Sequence, residues 1–303
     1  MALNRISTFA LHQSTFRNAA FTQSQLANAQ IQLSSGRKTQ TFDGMSDQAE
    51  QFIALEARLS RTNLYKNNNK LVVTRLDTTN AILGQVIDTV TSIKNLIIQR
   101  RNDSQAGSLA FPEQLDGLWQ SLVGELNTTL EGRYIFSGTR TNIAPVSSTV
   151  FPELAESGVP DDNYYFGSSD DITLRADDNI EFTYNVRGND PGFQKVFAAL
   201  AMARQGDISN NDSDLATAFD LAAEGLDEII SAQAQVNANK ISIEQVIERQ
   251  TSLSFYWQGL KEEISNTDLV AVSTQVAINE GILQATFQTF SKINSLRLSD
   301  FLR

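Results

Sequence analysis

The sequence predicts a mainly α protein with a small β insertion: an antiparallel rod of long helices. In this reading the N- and C-terminal segments pair as a coiled coil, a helical middle region follows, and a β-rich part forms the tip. Three observations lead there. The five prolines are Pro112, Pro145, Pro152, Pro160 and Pro191, so none interrupts the long flanks on either side, and proline is what most strongly forbids a helix interior. Apolar residues recur at heptad spacing toward both ends. Between the flanks, Ile180, Phe182, Tyr184 and Val186 alternate with Glu181, Thr183 and Asn185, which is the period of a strand.

The N-terminal flank carries one stripe. Ile6, Phe9, Phe16, Ala20 and Ala27 fall on a single heptad seam, with Gln13 and Gln23 at the positions between them. A polar residue on such a seam weakens pairing but can fix its register. The stretch stops at Ser34-Ser35-Gly36, where glycine can take the left-handed conformation that ends a helix. Residues 50 to 102 form a second helical run: Phe52, Leu55 and Leu59 open it, and Val73, Leu76, Leu83, Ile87, Val90 and Ile97 continue the spacing. A shorter helix is expected from Phe111-Pro112, through Leu115, Leu118, Leu122, Leu126 and Leu130, to about Gly132.

The middle, about 134 to 192, changes character. Besides the alternation at 180–186, Tyr164 to Phe166 and Ile172 to Leu174 read as short strands, and Gly188-Asn189-Asp190-Pro191-Gly192 as a turn. Helix resumes from Phe193, with Val196, Phe197 and Leu200 on one face. A long run then goes from Leu215 through Phe219, Leu226, Ile229, Val236, Ile243 and Ile247 to about Ile264. The last segment has its own seam: Leu269, Val272, Val276, Leu283, Phe290 and Ile293, with polar Asn279 and Thr286 between. The expected division is 1–42 with 266–303 as a terminal coiled-coil domain, 43–133 with 193–265 as a helical rod, and 134–192 as a β-rich insertion. Each terminal helix alone buries little area, and helices need tertiary packing to persist in water. Ordering of both ends is therefore expected to require neighbours.

Composition excludes several function classes. The chain has 303 residues, 41% of them hydrophobic and only 19% charged, enough for two or three domains. Uncharged polar residues suit surfaces that other chains will cover, since burying charge is costly. The net charge of −11 opposes bulk attraction to nucleic acid or an anionic membrane. The acid is uneven: residues 1–42 hold only Arg5, Arg17, Arg37 and Lys38, while Asp161, Asp162, Asp170, Asp171, Asp177 and Asp178 crowd the middle. There is no cysteine, so disulfides, thiolate catalysis and Cys-based metal sites are out. No long apolar run for a membrane span is expected, and residues 1–17 lack the apolar stretch of a secretory signal.

No constellation of catalytic residues emerges, and the expectation is a protein that is not an enzyme and uses no cofactor or metal. His12 is the only histidine and has no second imidazole or thiol to share a metal with. Asp212, Asp214 and the paired acids of 161–178 do not follow the spacing of a calcium loop. Gly36 and Gly44 do not form a phosphate loop, and the serines lack a nucleophile elbow. Trp119 and Trp257 sit within helical patterns, as packing residues or as a ligand platform. On periodicity alone the two seams also fit an intracellular helical scaffold, and a carboxylate-dependent hydrolase using Asp170 and Asp171 is the enzymatic alternative.

Three motifs in order resemble the bacterial flagellin family. Leu33-Ser34-Ser35-Gly36-Arg37-Lys38 is similar to the LSSG-basic segment of that family. Glu131-Gly132-Arg133-Tyr134-Ile135-Phe136-Ser137-Gly138-Thr139 is similar to its GRYIFSGT segment, in the form carried by the flagellin-like hook-associated proteins that join hook to filament. Gln284 to Ile293, then Leu298-Ser299-Asp300-Phe301-Leu302, resembles the C-terminal helix of those junction proteins. The resemblance covers both helical flanks. It departs after the first motif, where Asp43-Gly44-Met45-Ser46-Asp47 stands in place of an adjacent acidic pair and proline, and at the C-terminal end.

The resemblance implies a structural axial subunit of the flagellum, exported unfolded by the flagellar type III apparatus and located outside the cell at the hook–filament region. It implies assembly seams at Ile6, Phe9, Gln13, Phe16, Ala20, Gln23 and Ala27, and at Leu269, Val272, Val276, Asn279, Leu283, Phe290 and Ile293. The implied partners are another hook-associated protein on the hook side, flagellin or a like subunit on the filament side, and copies of itself. A cytoplasmic export chaperone at the C-terminal segment is expected too, because exposed seams invite premature aggregation. A subunit of the filament itself is the alternative within the family.

Overall fold

The computed structural model describes residues 2–41, 48–102 and 110–301, and side chains over 10, 12–41, 48–102 and 110–292. The segment Asp43 to Asp47, and the side chains of Ile6, Phe9, Ile293 and Leu298 to Leu302, lie outside what is described. Six helices and four short strands follow in order. They are α1 Ala2–Ser35, α2 Ala49–Asn102, α3 Phe111–Leu126, β1 Thr129–Leu130, β2 Arg133–Tyr134, β3 Thr173–Asp177, β4 Ile180–Thr183, α4 Pro191–Ser209, α5 Asp212–Ser265 and α6 Leu269–Phe301. The fold is mainly α with a small β part, as expected from proline placement and periodicity. The chain divides into two compact units, Met1–Ser60 with Ser254–Arg303, and Arg61–Leu253.

The helix ends follow local chemistry. Proline opens both α3 and α4, where its missing N–H costs nothing. Asn210 ends α4 in the left-handed conformation at φ 47°. Asp268 starts α6, its Oδ1 accepting from the Val270 and Ala271 amides at 2.9 and 3.1 Å.

The larger unit holds the main core. Leu83, Val86, Val90, Ile93 and Ile97 of α2 pack with Leu115, Leu122 and Leu126 of α3, Phe193, Val196, Phe197 and Leu200 of α4, and Ile229 and Ile243 of α5. Each such side chain contributes roughly 1.5–3 kcal/mol by leaving water. Helices α4 and α5 approach closely at glycines: a Cβ on Gly225 would sit 2.8 Å from the Gly192 carbonyl and 2.8 Å from Val196. An 18-residue window of α2 reaches a mean hydropathy of 1.3, apolar enough by composition to cross a membrane. This corrects the expectation that no such run exists, and the reason is that the window supplies the core side chains named above.

The β part is smaller than the alternation suggests. Strands β1 and β2 form a hairpin whose two-residue turn, Glu131-Gly132, has φ of 52° and 75°, the double left-handed turn that suits strand twist. So Leu130 belongs to a strand, not to the end of α3, which stops at Leu126. Strands β3 and β4 pair antiparallel with Leu174 opposite Phe182, and a bulge falls at Ala176. The bulge frees the Ala176 carbonyl, and two helices take it: Asn69 of α2 donates at 3.0 Å and Gln250 of α5 at 2.8 Å. Tyr184 and Val186 lie beyond the pairing, and Tyr164 to Phe166 make only a single bridge between Val146 and Tyr165. Turns and side-chain bonds satisfy this backbone instead. Ile135, Phe136, Val146, Leu174, Ala176 and Val186 pack into the same core as the helices.

Candidate assembly surface of the terminal helices

In the smaller unit α1 and α6 run antiparallel against each other. Two fixed points set their register: the His12 and Phe290 rings meet edge to face at 5.5 Å, and Arg37 bridges Asn266. On α6 the covered positions are Val272, Val276, Asn279, Leu283 and Thr286. This is the predicted C-terminal seam, apart from Leu269, which is 50% exposed, and Phe290, which sits at the edge.

On α1 the covered positions are His12, Thr15, Ala19, Thr22, Leu26 and Ala29. The predicted N-terminal seam is therefore not the pairing face. Gln13, Phe16, Ala20, Gln23 and Ala27 are all exposed, Phe16 by 72%. Both stripes repeat every seven residues and are offset by one, about 100° around the helix. Size explains the choice. The register sets Ala19 level with Leu283 and Ala29 level with Val272, so small residues on α1 receive larger ones from α6. Hydrophobicity alone selects Phe16, because an aromatic outweighs alanine and threonine on any apolar scale.

The pairing face is narrow and partly polar. Asn279 is 1% exposed; its Oδ1 accepts from Gln275 at 3.0 Å while its Nδ2 has no acceptor among the described residues. His12 Nε2 is likewise buried without a described partner. Outside the seam the two helices expose large apolar side chains: Phe16, Phe21, Ile278, Ile282 and Phe287. Monomers that stay monomers rarely display such groups together.

The LSSG motif splices this unit. Gly36 takes φ 68° and its N–H closes the helix on the Gln32 carbonyl at 2.8 Å. Ser35 Oγ donates to the Ile31 carbonyl at 2.7 Å. Beyond the glycine, Lys38 N–H donates to the Ser265 carbonyl at 2.8 Å, Thr267 N–H to the Gly36 carbonyl at 2.9 Å, and Lys38 Nζ to the Glu263 carbonyl at 2.7 Å. The motif thus joins the end of α1 to the α5–α6 junction. Leu33, Ser34 and Arg37 remain exposed. Beside it Phe52, Leu55 and Ile264 form a small core with Trp257 and Leu260 packed on it, and Lys261 pairs with Glu56 at 3.1 Å.

The second motif belongs to the larger unit. Gly132 makes the hairpin turn, with Arg133 exposed and Tyr134 half-buried on β2; Ile135, Phe136, Ser137 and Gly138 are buried. Ser137 Oγ donates to the Arg140 carbonyl at 2.9 Å. Trp119 lies in the main core. Among the described residues no three His, Asp or Glu side chains gather as a metal-binding group.

A continuous N-terminal helix, spliced by a glycine turn to a C-terminal helix that pairs with it, defines a helical assembly protein. Comparison with known proteins makes this specific. Residues 6–141 match the bacterial flagellin N-terminal helical region. Flagellar hook-associated protein 3 of Escherichia coli is 22% identical over 283 residues, covering 91% of this chain and 80% of that protein. Among solved structures, one described as a flagellar hook-associated protein from Vibrio parahaemolyticus has a TM-score of 0.59 at 17% identity, covering 72% of this chain and 99% of that one. FlgL of Bacillus cereus has a TM-score of 0.50 at 19% identity, covering 65% and 98%. The chain is therefore flagellin-like: it carries the N-terminal helical region of bacterial flagellins, and over most of its length it is similar to a flagellar hook-associated protein.

Proposed function

We propose that this protein is a structural axial subunit of the bacterial flagellum that joins hook to filament and works by assembly, not catalysis. The observation that carries the reading is the pair of terminal helices. They meet through one narrow seam and leave a second heptad stripe on α1, Gln13, Phe16, Ala20, Gln23 and Ala27, turned outward. A helix with two heptad stripes has a face for its own chain and another for a neighbour. In this reading Ile6, Phe9 and Ile293 extend the stripes toward the chain ends.

The neighbours are copies of this chain, a hook-associated protein on one side and flagellin or a like subunit on the other. The protein reaches the cell exterior through the flagellar type III apparatus, and a cytoplasmic chaperone covers the C-terminal segment until then. Equal aggregation of the full chain and a chain lacking residues 268–303 would remove the case for that chaperone. The flagellin match over 6–141 favours a filament subunit as the second reading.

Deleting the gene in its host and viewing the cells by electron microscopy separates the two. Hooks without filaments, with flagellin shed into the medium, are the expected result. Shortened filaments, or none with no flagellin made, identify a filament subunit. Normal filaments on a strain without paralogues overturn both.

A further inference from the structure

The larger unit contains a cavity of about 250 Å³ that the assembly reading does not use. It lies between α3, the segment 146–153, the segment 163–166 and α4. Its wall is largely aromatic. Trp119 faces Phe151 at 5.3 Å between ring centroids, and Tyr164 stacks on Phe197 at 3.8 Å. At the rim, Val150 is 65% and Phe166 51% exposed.

One polar atom in this wall has nothing to bond. Trp119 is 6% exposed, and its indole Nε1 is buried with no acceptor among the described residues. A buried donor left unpaired costs about 1–3 kcal/mol, and tryptophan in a core normally has a partner for its N–H. A ligand that brings an acceptor recovers that cost. A cation is a poor fit, since the Arg204 guanidinium already covers the Phe151 ring at 4.4 Å. An anion is no better, because it would meet a mostly apolar wall and Glu153. Ligand pockets for larger molecules run from about 300 Å³ upward, so the volume suits one ring.

We propose that the Trp119 cavity binds a small neutral molecule, one ring in size, whose carbonyl accepts a hydrogen bond from the indole N–H. The test uses the full chain labelled with ¹⁵N, with the Trp119 indole signal assigned from the Trp119→Phe variant. Acetophenone and ethylbenzene serve as probes of nearly equal shape, one with the acceptor and one without. The expected result is a saturable downfield shift of the Trp119 indole proton with acetophenone and none with ethylbenzene. Ser147→Leu, which fills the cavity and keeps Trp119, should abolish the shift while the circular dichroism spectrum stays unchanged. Absence of a saturable shift, an equal response to both probes, or a response surviving Ser147→Leu overturns the proposal. So does the same shift on raising protein concentration alone, which would give the cavity to a second copy of the chain.

Discussion

Gly138 closes the second family motif with φ 61°, and a Cβ there would meet the Ser168 carbonyl oxygen at 2.0 Å. Neither the backbone angle nor the neighbour, thirty residues on, is visible in the sequence; only the Phe-Ser-Gly-Thr pattern is. Gly138→Ala should lower the stability of the larger unit by roughly 3 kcal/mol, from left-handed strain plus overpacking, read as a shift of the urea midpoint. Gly36→Ala meets no such obstacle, since nothing lies within 4 Å, and should cost about 1 kcal/mol. Glu125 offers a pH test. Burial raises its carboxyl above the ordinary range, opposed by the Thr89 hydroxyl that donates to it at 2.7 Å. A carboxyl whose pKa is raised by folding binds its proton more tightly in the folded state. Its contribution is therefore present below the unfolded pKa and is lost as pH rises through the folded value. Glu125→Gln keeps the acceptor for Thr89 and removes the charge. The variant should gain on the wild type in denaturant titrations as pH rises from 4.5 to neutrality; a constant difference across that range would refute the assignment.

At the scale of the element, helices were legible and their faces only half so. The long runs of α2, α5 and α6 follow from uninterrupted periodicity, and the α6 seam was readable because Val272, Val276 and Leu283 are its largest regular residues. The α1 face was not, because it pairs through Ala19, Thr22 and Ala29 while Phe16 looks outward. Periodicity reports that a stripe exists, not which of two stripes meets the partner helix. Leu26→Ser, on the covered face, should therefore loosen the α1–α6 pair and reduce helical circular dichroism. Phe16→Ser should leave it unchanged. Asn279→Leu should strengthen the pair by about 1 kcal/mol, since a buried amide with one unpaired donor gives way to an apolar side chain, seen as slower backbone hydrogen exchange along α6. The strands were the least legible elements. Alternation continues through Tyr184 and Val186 although pairing ends at Thr183, because burial alternates along an extended segment whether or not a partner strand is present. The bulge at Ala176, held by Asn69 and Gln250, had no signal in the sequence at all.

The whole molecule combines a well-packed larger unit with terminal helices whose own seam is thin. Its large exposed side chains on α1 and α6 fit a protein that reaches its working state in an assembly. Three motifs were enough to read the family resemblance, and the structure gives two of them physical sense: one splices α1 to the α5–α6 junction, and the other turns a hairpin into the core. The identity of each neighbour was not legible, since a heptad stripe records a helix-sized partner and not its sequence. The central claim is that the outward stripe of α1 builds the assembly. It is tested most directly by replacing the chromosomal gene with the Phe16→Asp, Ala20→Asp variant and counting filaments by electron microscopy. The account predicts secreted protein with an unchanged helical spectrum, and cells bearing hooks without filaments. Filaments of normal number and length on those cells would contradict it.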